Sequence, residues 1–157
     1  MKTKIGISEK DSTALADILN TLLADEYVLY TKTRNYHWNV TGPYFAELHA
    51  FFQTQYEALA ITIDEIAERV RIFNRPAAGS LAAFLKMTHL AENKDPDISS
   101  DDMLRDLLND YEIIIRWLRD KIPAVDEKMK DAGTADFLTG LMEQHEKTAW
   151  MIRAHLR

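Results

Sequence analysis

Apolar residues recur every three or four positions along most of the chain, in four long runs broken by glycine and proline. The first run carries Leu15, Ile18, Leu19, Leu22, Leu23 and Leu29 at helical spacing, with Ser8 placed to cap it and Asp11 three residues on. It ends near Val40-Thr41-Gly42-Pro43. The second, from about Phe45 to Phe73, repeats Leu48, Phe52, Gln55, Leu59, Ile63, Ile66, Val70 and Phe73, a stripe that predicts one core-facing helix side. Turn residues dominate positions 74 to 99, where Pro76, Gly79 and Pro96 surround a short apolar segment, Leu81 to Met87. One short helix is expected there. A third run starts at Ser99 or Ser100 and passes through Met103, Leu104, Leu107, Tyr111, Ile114 and Leu118, with Pro123 expected to bend or close it. The fourth is expected to start at Thr134, after Gly133, and carries Phe137, Leu138, Leu141, Met142, Ala149, Ile152 and Leu156.

Four helices with two short turns and one long connection predict an all-α four-helix bundle with a single crossover containing a short extra helix. Unrelated proteins share that connectivity, so fold alone names no activity. The 157 residues, 46% hydrophobic and 28% charged, fit one domain over residues 1–157. Such a chain buries roughly 70% of its unfolded surface and needs no staple. The absence of cysteine excludes disulfides, thiolate zinc sites and iron–sulfur clusters, leaving nitrogen and oxygen donors for any metal. No apolar run is long enough for a signal peptide or a membrane span, so a cytoplasmic protein is expected. The net charge of −6 disfavours a broad phosphate-binding surface.

Two pairs of polar residues are candidates for chemistry. His37 and His49 flank the first turn, and Asp64 and Glu68 stand four apart on the second helix. Imidazole and carboxylate together suit iron or zinc. Arg69 and Arg71 are adjacent, and ion pairing with the carboxylates is the competing reading. His49 lies roughly 22 Å from Asp64 along a helix, so one metal cannot bridge the pairs within one chain. The series His49, Gln53, Glu57, Ala60, Asp64 and Glu68 forms a stripe centred roughly 130° from the core stripe of the same helix. It faces either water or a second subunit lying antiparallel across a two-fold axis. No Glu-x-x-His occurs, which disfavours a di-iron centre inside the bundle. His145, beside Met142 and Ala149, reads as a core or interface histidine.

His37-Trp38-Asn39-Val40-Thr41-Gly42 followed by Leu48-His49 resembles the first hallmark segment of the Dps family of mini-ferritins. Ile63-Asp64-Glu65-Ile66-Ala67-Glu68-Arg69, with Phe73-Asn74-Arg75-Pro76-Ala77 after it, is similar to the second. The resemblance implies a ferritin-like dodecamer built from two-fold dimers, in which Fe(II) is oxidised to Fe(III), preferably by hydrogen peroxide, and stored as ferric mineral. It implies that His37 and His49 bind iron from one chain and Asp64 and Glu68 from its partner, with Trp38 beside the site as an interface aromatic or an electron donor. The family usually has an acid four residues after the second histidine, where this chain has Gln53. One firm and one weak iron position are therefore expected. Asp131 and Asp136, near the start of the last helix, are candidate linings of an iron-entry pore, although acids at a helix N-terminus also serve its dipole. Many relatives also coat DNA, and a nucleoid-associated DNA-binding cage with little oxidase activity is the alternative function. Lys2 and Lys4 make only a short basic arm, so weak or absent DNA binding is expected.

Overall fold

The computed structural model describes residues 3–156; Met1, Lys2 and Arg157 lie outside it, Lys2 of the expected basic arm among them. All regular structure among the described residues is helical. Helix α1 spans Glu9–Asn39, α2 Phe45–Ile72, α3 Leu81–Met87, α4 Ser100–Pro123 and α5 Ala132–His155. Helix α1 packs chiefly on α2, α4 chiefly on α5, and the short α3 rests on α1. This is the expected four-helix bundle with its crossover helix.

Serines set three of the N-termini. Ser8, Ser80 and Ser99 each accept a hydrogen bond from the backbone N–H three residues on, which satisfies a donor that the first turn would leave bare. Pro123 ends α4 as expected, because it has no N–H to continue the ladder. The chain then widens into one π-helical turn, Ala124–Lys128, and reverses at Lys130, whose φ is 56°. The last helix begins two residues earlier than the expected Thr134. Asp131 is its cap: the carboxylate accepts from the Thr134 backbone N–H at 3.2 Å and from the Thr134 hydroxyl. Gly133 is therefore inside the helix rather than before it. A Cβ there would lie 3.0 Å from the Arg69 guanidinium, so glycine admits that side chain at close range.

The core is leucine-rich, and Leu15, Leu19, Leu22, Leu29, Phe52, Ile66, Ile114, Leu118, Leu138 and Ile152 are fully buried. Charges are buried with it. Glu26 of α1 lies 2.6 Å from His145 of α5, and Asp25 accepts from Thr88 and from the backbone and ring of His89, which ties the end of α3 to α1. Lys32 Nζ lies 2.6 Å from Asp110 and 3.1 Å from Asp106, joining α1 to α4. Tyr36 donates to Asp106 at 2.5 Å and accepts from Asn93 of the crossover. Such groups must be paired, because an unpartnered charge in this interior costs several kcal/mol.

Candidate metal centre

The turn after α1 closes on Gly42, whose φ of 109° suits glycine, and the Phe45 N–H donates to the Gly42 carbonyl at 3.2 Å. This reversal sets the last turn of α1 beside the first turn of α2 and makes the two histidines neighbours. His37 Nδ1 donates to the His49 carbonyl at 2.8 Å, and His49 Nδ1 donates to the His37 carbonyl at 2.8 Å. A carbonyl only accepts, so each Nδ1 carries hydrogen and each neutral ring keeps its lone pair on Nε2. The rings stack 3.8 Å apart at 22°. Phe45 stacks on the far face of the pair, 5.1 Å from His49, and Tyr56 meets His37 edge-on at 5.1 Å and 69°. Two nitrogen donors are thus held in orientation before any ion arrives, by outer partners of the kind that fix metal-binding imidazoles.

Asp64 and Glu68 are exposed on α2, with Gln53, Glu57 and Ala60 exposed on the same stripe. The arginines beside them point elsewhere. Arg69 donates to the Thr134 hydroxyl at 3.0 Å and lies 3.9 Å from Asp131, while Arg71 donates to the Arg75 carbonyl at 2.5 Å. Among the described residues no cation pairs with Asp64 or Glu68, so ion pairing does not account for them. Nor does any group of three histidines, aspartates or glutamates among the described residues converge to hold a metal. The histidine pair and the carboxylate pair remain apart, as their spacing requires.

The remaining candidates divide. Trp38 is 64% exposed, with the Arg34 guanidinium 5.3 Å over its ring and no ring contact to His37 or His49. Gln53 donates its amide N–H to Glu57 at 2.8 Å. Asp131 is engaged as the α5 cap, and Asp136 is exposed. His145 is buried against Glu26. Sequence reading missed the aromatic wall of the histidine pair, Tyr56 and Tyr30. A signal existed: Tyr30 stands seven residues before His37 and Tyr56 seven after His49, two helical turns each and hence the same face.

Residues 16–157 match the ferritin-like domain family. The chain is 42% identical over 155 residues to a low-temperature-induced protein of Nostoc sp. (strain PCC 7120), which covers 99% of this chain and 87% of that protein. It is 34% identical over 140 residues to DNA protection during starvation protein 2 of Bacillus anthracis, covering 89% of this chain and 94% of that one. The fold superposes on the crystal structure of the DPS protein from Vibrio cholerae O1, described as a member of a broad superfamily of ferritin-like diiron-carboxylate proteins. The TM-score is 0.93, the identity 33%, and the coverage 99% of this chain and 97% of that one.

Proposed function

Since this chain belongs to the ferritin-like Dps family, whose general role is iron storage and DNA protection, we propose that it is a ferroxidase working at sites shared by two-fold-related chains. His37 and His49 of one chain and Asp64 and Glu68 of its partner bind Fe(II), which is the substrate. Hydrogen peroxide is the preferred oxidant, and the ferric product is stored inside a dodecameric cage in the cytoplasm. The observation that carries this reading is the separation of two prepared half-sites: two fixed imidazoles at one end of α2 and two unpaired carboxylates near the other.

Neutral nitrogens suit Fe(II), and carboxylates favour the harder Fe(III), so a mixed set binds the substrate and stabilises the product. With few protein ligands, positions stay open for peroxide. Two ferrous ions supply both electrons that reduce one peroxide to two waters, and no hydroxyl radical is released. The α1–α3 face offers a second copy an apolar surface. Leu81 and Leu85 of α3 are 67% and 51% exposed, and two adjoining grooves on this face share Thr31 and Glu92, one bordered by Trp38 and the other by Leu81 and Leu85. Asp136 is the better pore candidate, because Asp131 is held by its cap. DNA binding is weak at physiological salt given the charge of −6, and a gel shift that persisted there would contradict this.

The test is anaerobic Fe(II) loading followed by a peroxide pulse. Glu68→Gln or Asp64→Asn lowers the fast oxidation rate at least tenfold, about 1.4 kcal/mol, with particle size unchanged. Co-refolding a His49→Ala chain with a Glu68→Ala chain restores activity, because one of the two sites in a mixed dimer receives no lesion. Absence of recovery, with mixed dimers demonstrated, would overturn the shared site.

A further inference from the structure

Outward from His37 along α1 runs a file of tyrosine rings. Tyr56 touches the His37 ring at 5.1 Å, Tyr30 meets Tyr56 edge-on at 6.2 Å and 82°, and Tyr27 follows Tyr30 at 6.0 Å and 58°. Tyr27 then stacks on Phe84 of α3 at 4.5 Å, and phenylalanine is too hard to oxidise to extend the file. All three tyrosines are half-buried, packed into a continuous aromatic path yet in reach of water. We propose that Tyr56, Tyr30 and Tyr27 form an electron relay that completes peroxide reduction when the iron site holds a single Fe(II). The proposal rests on the iron reading above.

The need arises at Gln53. A site with one occupied iron position offers peroxide one electron, and one-electron cleavage yields hydroxide and a hydroxyl radical. A second electron from Tyr56 closes the reaction: hydrogen peroxide, Fe(II), a tyrosine and one proton give two waters, Fe(III) and a neutral tyrosyl radical. The O–O bond breaks, iron and tyrosine are each oxidised by one electron, and the phenolic proton passes to water. A later Fe(II) returns the radical to tyrosine, taking up a proton and leaving Fe(III).

Arg34 gives the file a direction. Its guanidinium carbon lies 5.2 Å from the Tyr56 ring, 5.8 Å from Tyr30 and 5.3 Å from Trp38, and it donates to the Tyr30 hydroxyl. A fixed cation makes electron removal from a neighbouring ring harder. Tyr27 makes no such contact with Arg34, so the oxidising equivalent comes to rest there, the far end of the file from the iron. Trp38, which lies under the same cation but has no ring contact with His37 or His49, is off this path.

The assembled protein, loaded with one Fe(II) per chain and mixed with one equivalent of hydrogen peroxide, is freeze-quenched and read by electron paramagnetic resonance. An organic radical is expected whose spectrum narrows when the protein contains ring-deuterated tyrosine. Tyr56→Phe, which keeps the ring edge, abolishes that signal and raises spin-trapped hydroxyl radical severalfold. Tyr27→Phe shortens the radical's life severalfold, with Fe(II) titration and particle size as in the wild type. Iron oxidation with no tyrosyl signal, or with the full signal in Tyr56→Phe, overturns the relay and leaves the ferroxidase standing. No peroxide-driven oxidation of iron in the wild type overturns both.

Discussion

Gln53 stands one turn from His49 on the exposed stripe of α2, and its amide is bonded to Glu57. An amide oxygen is a neutral and weaker ligand than a carboxylate, so one iron position is expected to be weak. Gln53→Asp should raise tight Fe(II) binding from about one to about two ions per chain in anaerobic calorimetric titration, and should suppress the tyrosyl radical, since both electrons then come from iron. Unchanged stoichiometry would show that the second position fails for another reason. The four proposed ligands stand out in the sequence because two ligand-rich motifs lie at fixed spacing. The reciprocal pair of hydrogen bonds between His37 and His49 does not, because it depends on backbone carbonyls that a residue list does not display. Nor were Asp25, Glu26, Lys32 and Asp110 recognisable as buried, since charge alone does not separate a paired interior group from a solvated one.

At the scale of elements, helix lengths and joints followed from apolar spacing and from serine, glycine and proline. The start of α5 did not. Asp131 reads as any loop acid until its carboxylate is seen reaching Thr134, and only that bond moves the boundary to Ala132. Helices α1 and α4 are joined by a contact that responds to pH. Burial raises the Asp110 carboxyl to about 6 despite the opposing pull of Lys32, with Asp106 and Asp25 adding smaller upward effects. The native state therefore holds this proton more tightly than the unfolded chain. The resulting stabilisation is full below about pH 4 and is lost as pH rises through 6, on the order of 3 kcal/mol. Chemical denaturation of wild type and Asp110→Asn between pH 4 and 7 should show the wild type losing stability relative to the variant across that window. Parallel profiles would remove Asp110 as the cause.

At the scale of the whole molecule, the α3 face combines apolar exposure with two adjoining grooves, one of which reaches Trp38. Leu85→Glu, alone or with Leu81→Glu, should leave the helical content of the chain intact while shifting sedimentation toward the monomer, because a carboxylate placed in an apolar interface must be desolvated without a partner. Peroxide-driven iron oxidation should fall with the loss of assembly. Full activity in a demonstrated monomer would refute the two-chain site.

The two proposed half-sites lie at opposite ends of one rigid helix, too far apart for any flexing of a single chain to join them. If the site is shared as proposed, a newly made chain is chemically quiet toward iron and peroxide until it meets another. On the same proposal, competence arrives in the step that begins to build the container, so the reaction cannot run ahead of the space that receives its product. Protein concentration, through the pairing equilibrium, is then the proposed site's own safety catch.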